Sequence, residues 1–310
     1  MRTQTFSDFD DFAESIRGVV SKMMLRNATE HRWKLRTVDL QGIGVQIGEL
    51  GSGNIAHGDF RGNGLLLYLP LTSGVEYSAN GTVLERGSFA VLQPGCEFFI
   101  STKVSHDWCA VTLPMSLLIQ QGLSVLPATG PTLHVTSADQ QAAIRFRQIV
   151  TQVMSLAAKT NQIESGETAA SVSEALLEVA AAVVPLPKAC PDNHGGRPKV
   201  PREQIIACTL EHLQQHEDDV VHIGDLAEAA DVSERTLRNA FNDYFGVSPT
   251  RYVQFRQLHQ VHRALRAARA HETTVSHVLL AHGAWEFSRF AARYRRLFGE
   301  LPSETLRKKL

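Results

Sequence analysis

The sequence predicts an α+β chain in two parts: a domain of short strands closed by two helices, then an all-helical domain. Three observations predict it. Apolar runs separated by turn residues fill the chain up to about Leu113, the apolar spacing then becomes helical, and two C-terminal segments repeat at an offset of 53 residues. A length of 310 residues suits about two domains.

Taken in order, the first ten residues carry acids and no apolar stretch, so no secretory signal is expected. Strands are expected at Trp33–Asp39, Ile43–Leu50, Gly64–Thr72, Val75–Ser78, Ser88–Leu92, Glu97–Ile100 and Asp107–Leu113. Gly51-Ser52-Gly53, Gly62-Asn63-Gly64, Asn80-Gly81 and Pro94-Gly95 punctuate them as turns. Asn80-Gly81 is the strongest of these signals, because both residues tolerate the positive φ of a two-residue hairpin. Many short strands at even spacing imply a barrel or a sandwich. Ala138–Ala158 and Glu167–Val184 then carry apolar residues at helical spacing and close this part. Pro185–Val200 holds four of the twelve prolines and Gly195-Gly196, so it reads as a linker. The expected organisation is a first domain at 1–184 (strands about 33–113, helices about 138–184), a linker at 185–200 and a helical domain at 205–310.

Composition narrows the function classes. With 43% apolar and 20% charged residues, the chain has ordinary globular composition. Cys96, Cys109, Cys190 and Cys208 form no Cys-x-x-Cys pair, which argues against a disulfide scaffold and a Cys-rich zinc module. No apolar run approaches the ~18 residues of a membrane helix. The net charge of −1 conceals an uneven split: residues 232–310 carry +8 and the preceding 231 carry −9. Basic charge confined to one helical region is the footprint of a nucleic-acid binder.

The repeat carries the argument. Leu226–Phe241 aligns with Leu279–Tyr294, and each unit ends in Phe-Gly-x-x-Pro, at Phe245–Pro249 and Phe298–Pro302. Each reads as a helix-turn-helix, at 224–245 and 275–298. The first helix ends at a small residue, Ala230 or Gly283. Val232 and Trp285 stand in the turns, where they are expected to plug the angle between helices. Ser233 is a good N-cap. Leu237, Phe241 and Phe245, or Phe290, Tyr294 and Phe298, are expected to face inward, and Gly246 and Gly299 suit left-handed C′ positions. The outward face of the second helix is polar: Ser233, Arg235, Thr236, Arg238 and Asn239 in one unit, and Glu286, Ser288, Arg289 and Arg293, with Ala292 on the same face, in the other. In such units the start of the second helix enters the major groove, where Arg and Asn read guanine and adenine edges. Arg235, Arg238, Asn239, Ser288 and Arg289 are the base-edge candidates. Arg293, Arg295 and Arg296 are candidates for phosphate contact. Two such helices are expected about 34 Å apart, one turn of DNA.

From about Ile205 to Leu310 the chain resembles the DNA-binding domain of the AraC/XylS family of bacterial transcription regulators. Leu226-Ala227, Val232-Ser233, Leu237, Phe241, Gly246–Pro249 and Tyr252 carry the likeness in the first unit. Arg289–Ala291, Tyr294-Arg295 and Phe298–Ser303 carry it in the second, which is closest to the XylS-like branch. The resemblance implies a linker helix at Pro249–Ala267 and insertion of both units into successive major grooves. It also implies that the first domain is a cupin-like β-barrel with closing helices, an effector-binding and dimerisation part. One departure is Ala284, where the family usually has Phe; Trp285 is the candidate to supply that aromatic.

The expected function is therefore a cytoplasmic, sequence-specific transcription regulator, an activator responding to a small molecule in the barrel. Its implied partners are double-stranded promoter DNA, RNA polymerase and a second copy of the chain. The alternatives are a DNA-binding regulator without ligand, controlled by its abundance, and a cupin-type enzyme fused to a DNA-binding domain. Neither enzyme activity, cofactor, metal nor membrane is expected. His57, Asp59, His106 and Asp107 leave a metal site open, yet no His-x-His pair occurs and these read as turn residues. Gly42–Gly48 imitates a dinucleotide fingerprint but lacks a following helix. Cys96 and Cys109 read as buried strand residues, and the eight histidines after Pro201 as solvated or capping. Arg61, Tyr68, Tyr77 and Trp108 are candidates to line a barrel, with a structural role favoured for each, so the effector-binding residues are left unassigned.

Overall fold

The computed structural model describes residues 1–85, 87–120, 122, 133–137, 140–159, 167–183, 200–216, 221–269 and 271–308. Apart from Val200, the expected linker lies outside them, as does Cys190. The chain forms two compact units, one of residues 1–23 and 29–191, the other of residues 24–28 and 192–310.

The first unit begins with β1 (Arg2–Phe6), α1 (Phe9–Glu14), β2 (Val19–Leu40, of which residues 24–28 belong to the second unit) and β3 (Ile43–Phe60). It continues with β4 (Gly64–Pro70), β5 (Tyr77–Ala79), β6 (Thr82–Val83), β7 (Ser88–Leu92), β8 (Glu97–Thr102) and β9 (His106–Pro114). Then come α2 (Met115–Gln120), β10 (His134–Ser137), α3 (Gln140–Lys159) and α4 (Glu167–Val183). The strands form a nearly closed antiparallel barrel in the order β10-β7-β4-β9-β3-β8-β5-β6, with β2 pairing β1 and β3. Asn80 and Gly81 turn β5 into β6 with φ of 45° and 77°, the hairpin that the dipeptide predicts.

Alternation decides what each face does. Val45 and Ile47 of β3, Leu65, Leu67 and Leu69 of β4, and Cys109, Val111 and Leu113 of β9 form one core with Phe146, Val150, Val153, Leu176 and Ala180 of the two closing helices. Residues of opposite parity on the same strands, including Leu66, Tyr68, Trp108 and Ala110, line a cavity instead.

Several expectations need correction. Gly51-Ser52-Gly53 does not break the strand: β3 runs through it. A Cβ on Gly51 would sit 2.5 Å from the Glu30 carbonyl oxygen, and one on Gly58 2.1 Å from that of Val20, so here glycine serves close backbone approach rather than a turn. β1, α1, α2 and β10 were not expected from the sequence. Cys109 is a buried strand residue as expected, whereas Cys96, also buried, precedes β8.

The second unit contains α5 (Arg202–Gln215), α6 (Ile223–Ala229), α7 (Glu234–Phe245), α8 (Pro249–Ala267), α9 (Val275–Ala281), α10 (Phe287–Phe298) and α11 (Pro302–Arg307). Side-chain caps set several starts. Ser233 Oγ accepts from the Thr236 N–H (3.2 Å), Ser248 Oγ from that of Arg251 (3.3 Å) and Thr274 Oγ1 from that of His277 (3.2 Å). Pro249 then occupies the first turn of α8, where its missing N–H is harmless. Gly246 and Gly299 end α7 and α10 in the left-handed conformation, at φ of 60° and 78°.

The core of this unit is aromatic. Phe241 and Phe245 of α7 pack on Tyr252 of α8 with ring centroids 5.4 and 4.8 Å apart. Farther along α8, the His262 ring stacks on Phe298 at 4.2 Å, and His259 meets the same ring edge-on at 5.1 Å. His259 and His262 are buried, which corrects the expectation of solvated or capping histidines at these two positions.

Candidate nucleic-acid interface

Each helix-turn-helix is built by burying one face of a short helix pair. In the first unit Leu226 and Ala227 of α6 meet Leu237, Ala240 and Phe241 of α7, all buried. In the second, Val278 and Leu279 of α9 are buried, as are Phe290, Tyr294 and Leu297 of α10. Phe245 is buried as expected, while Phe298 is only half-buried.

The two turns are not the same length. Each first helix ends in a bond from an N–H to the carbonyl five residues back: Val232 to Ala227 (3.0 Å) and Ala284 to Leu279 (2.9 Å). Val232 therefore corresponds to Ala284, an offset of 52, whereas the N-caps Ser233 and Glu286 keep the offset of 53. The second turn holds one extra residue, and that residue is Trp285. This corrects the expectation that Trp285 plugs the interhelical angle: its side chain is 70% exposed, and Ala284 is buried in its place. It also shifts the repeat within the first helix, where Leu226 and Ala227 match Val278 and Leu279. The left-handed turn residue is Asp231 (φ 50°) in one unit and Gly283 (φ 68°) in the other.

The outward residues are where the helical period puts them. Ser233, Arg235, Thr236, Arg238 and Asn239 of the first unit are exposed, as are Glu286, Ser288, Arg289 and Ala292 of the second; Arg293 is half-buried. The two faces differ electrostatically. Among the described residues no carboxylate pairs with Arg235 or Arg238. Arg289 instead meets Glu286 at 2.7 Å, with Arg293 at 4.0 Å from the other oxygen of the same carboxylate. Sequence reasoning named all three residues of this cluster without seeing their pairing, although the i, i+3 spacing of Glu286 and Arg289 was a visible signal. Arg295 and Arg296 are exposed near the end of α10 and Arg251 lies at the start of α8, its guanidinium 4.7 Å from the Phe255 ring centroid. A helix end carrying unpaired guanidinium and amide groups suits base edges, and the flanking arginines suit phosphates.

In the first unit of the chain, the four barrel candidates separate. Tyr68 and Trp108 line the cavity, with rings 6.0 Å apart and inclined by 30°. Tyr77 is structural: its hydroxyl donates to the Asp107 carbonyl (2.6 Å) and accepts from the Thr72 N–H (3.3 Å). Arg61 is exposed and pairs with Asp59 (3.3 Å). The strand registers keep His57 and His106 apart, since His57 faces Phe99 and His106 faces Leu50. Burial holds both imidazoles well below the usual range, at about 4. His106 also lines the cavity, a placement that its sequence context did not signal.

A family profile described as a helix-turn-helix domain matches residues 226–308. The XylDLEGF operon transcriptional activator of Pseudomonas putida is 33% identical over 105 residues, which cover 34% of this chain and 32% of that protein. The chain thus spans about a third of the length of the curated relatives it matches first. A probable AraC family transcriptional regulator from Rhodopseudomonas palustris is 30% identical, over 34% of this chain and 95% of that one, with a TM-score of 0.31. The AraC-like transcriptional activator CuxR is 12% identical over 90% of this chain and 100% of its own, with a TM-score of 0.44. Among the described residues no helix is long and apolar enough to cross a membrane.

Proposed function

The chain carries an AraC/XylS-type helix-turn-helix domain, and from that premise we propose that it is a one-component transcription regulator acting on promoter DNA, an activator. Residues 205–310 are the DNA-binding part and residues 1–184 the effector and dimerisation part. The observation that carries this reading is the pair of helix-turn-helix units joined by α8, each with a buried apolar seam and an exposed polar start to its second helix. The likeness to the XylDLEGF operon activator supports it in the same segment.

In this reading α7 supplies direct readout through Arg235, Arg238 and Asn239, whose donors are uncommitted. Ser233 and Thr236 share a hydrogen bond (2.9 Å) that keeps the N-cap formed while the helix end meets DNA. α10 supplies Ser288 and Arg289, with Ala292 leaving room for close approach and Arg293 reaching the backbone. Glu286 holds Arg289 extended along the helix until a guanine edge or a phosphate replaces the carboxylate. RNA polymerase, a second copy of the chain and a small effector complete the proposal, in the cytoplasm.

The test is selection of duplex DNA from a random pool by the full-length chain at about 150 mM salt, since phosphate affinity depends on salt. A motif of two boxes about one helical turn apart is expected. Failure to enrich any motif would overturn the regulator reading.

A further inference from the structure

The cavity of the first unit has a volume of about 60 Å³ and is apolar over most of its lining. At roughly 10–15 Å³ for each water-sized position, it holds about four to six such positions, the space of one small ring rather than of a long acyl chain. Leu66, Phe98, Ile100 and Ala110 give it apolar walls. Gly48 lets the Trp108 indole lie flat against β3, because a Cβ there would sit 2.4 Å from the ring.

Beside Ser21, Gln46 and Asn54, three ring-borne polar groups belong to the lining, those of Tyr68, Trp108 and His106. Tyr68 and Trp108 are more than nine-tenths buried, at 7% and 6% exposure. Among the described residues neither the Tyr68 hydroxyl nor the Trp108 indole N–H has a hydrogen-bond partner. Donors without a partner on residues that line a cavity can be met by an acceptor bound there. The third group is His106. Its Nδ1 lies 3.0 Å from the Val104 carbonyl and 3.1 Å from that of Ser52, so Nδ1 carries the hydrogen. Thr102 Oγ1 lies 3.3 Å from Nε2 and donates its one hydroxyl hydrogen to Asn54 Oδ1 (3.1 Å), so it does not donate to the ring. Nε2 is left as an acceptor, and burial keeps the ring neutral near pH 7.

Among the described residues that line the cavity, Arg17 alone carries a full charge. The side chain of Arg17 is exposed at the rim, while its backbone N–H and carbonyl occupy both ends of the Gln46 amide (2.9 Å each). A carboxylate drawn fully inside would lose its hydration with no cation to replace it.

We propose that this cavity binds a small uncharged molecule, a single aromatic ring bearing a hydroxyl. The ring packs against the Tyr68–Trp108 pair. The hydroxyl donates to His106 Nε2 and accepts from Tyr68 or from the Trp108 N–H. The inference rests on the regulator reading only in taking the barrel as the effector-binding part.

Isothermal titration of the full-length chain with phenol, benzyl alcohol, toluene, benzoate and octanoate near pH 7.5 tests it. Phenol or benzyl alcohol is expected to bind saturably below about 5 mM, an affinity within reach of so small a ligand. Benzoate and octanoate are expected to bind at least about tenfold more weakly, the factor set by burying an unpaired charge. Tyr68→Phe is expected to weaken phenol by about threefold to tenfold, the loss of one hydrogen bond, and to leave toluene unchanged. The proposal is overturned if benzoate or octanoate binds as tightly as phenol, or if neither hydroxylated ring binds the wild-type chain. Equal weakening of phenol and toluene by Tyr68→Phe overturns the hydrogen-bonding role. The titration needs no DNA, so a chain that selects a motif but binds no such ring fails this inference alone, and one that binds the ring but selects no motif fails the regulator reading alone.

Discussion

The Nδ1 of His262 on α8 and the phenol oxygen of Tyr294 on α10 lie 2.7 Å apart inside the second unit. The tyrosine oxygen is also 2.8 Å from Thr305 Oγ1, which in turn lies 2.7 Å from a Glu300 carboxylate oxygen. A carboxylate only accepts, so the polarity of the chain follows from its end. Thr305 donates to Glu300, Tyr294 to Thr305, and His262 Nδ1–H to Tyr294. Four side chains thus tie α10 to α8 and to α11. Lys308 pairs with the same Glu300 at the open end.

Tyr294→Phe keeps the ring and removes the middle of this chain. It is expected to destabilise the second unit by about 1–3 kcal/mol, because two buried partners lose their match. Chemical denaturation of the full-length chain, followed by helical circular dichroism, measures it. A change below about 0.5 kcal/mol, the range of ordinary surface substitutions, would show that the chain is not a stabilising network.

Trp285 and Ala284 give opposite expectations. Trp285→Ala is expected to change stability by less than about 0.5 kcal/mol, since the indole is exposed. Ala284→Phe, which places a large ring at the buried turn position, is expected to destabilise by about 1–3 kcal/mol through overpacking. If instead Trp285→Ala is the damaging change, the indole fills the angle after all.

Arg238→Ala and Arg289→Ala are each expected to weaken specific DNA binding by about 1–3 kcal/mol, the worth of one good base contact. Glu286→Gln is expected to tighten binding, because a negative charge leaves the face that meets phosphates and Arg289 is released. Fluorescence anisotropy on the selected duplex over a salt series reads all three. Unchanged affinity for Arg289→Ala at fixed salt would remove it from the interface.

Stability of the barrel is expected to fall as pH drops from about 6.5 towards 4. The His106 imidazole is neutral in the folded chain down to about 4, whereas unfolded histidine takes a proton near 6.5. Between those values the unfolded state binds more protons, so stability rises with pH there and is complete above about 6.5. The full shift corresponds to about 3 kcal/mol as an order of magnitude, and His57 shifts the same way. Thermal unfolding from pH 4 to 8 checks the slope, which His106→Gln should flatten.

Gly48→Ala is expected to destabilise the barrel by about 1–3 kcal/mol and to alter the Trp108 emission, since the new methyl would displace the indole. An unperturbed emission spectrum would mean that the indole does not rest on β3.

Much of this was legible in the residues. Apolar spacing located α3 and α4 because both pack one face on the sheet, and the family resemblance placed the helix at Pro249–Ala267, which a serine cap and a proline start in the structure. What the sequence concealed has physical causes. Gly51-Ser52-Gly53 reads as a turn signal, but a glycine that relieves a close backbone approach, as Gly51 does, looks the same as one that turns the chain. β10 is four residues long and among the described residues pairs with β7 alone, too short to carry a period. The one-residue slip between Leu226 and Val278 was hidden because both aligned registers put an apolar residue at Leu279. At the candidate interface the outward residues were readable from period alone, while the Glu286–Arg289 pairing and the place of His106 depended on side-chain geometry.

If the chain reads DNA as proposed, the extra turn residue at Trp285 makes its two readers unequal. A perfect tandem duplicate would meet a site equally well in either box order. Here one reader has a short turn and uncommitted arginines, and the other a longer turn and a tethered one. In the proposed complex each chain would therefore point in one direction along the duplex, so that inverting a site would reverse the heading of the protein rather than recreate the same complex.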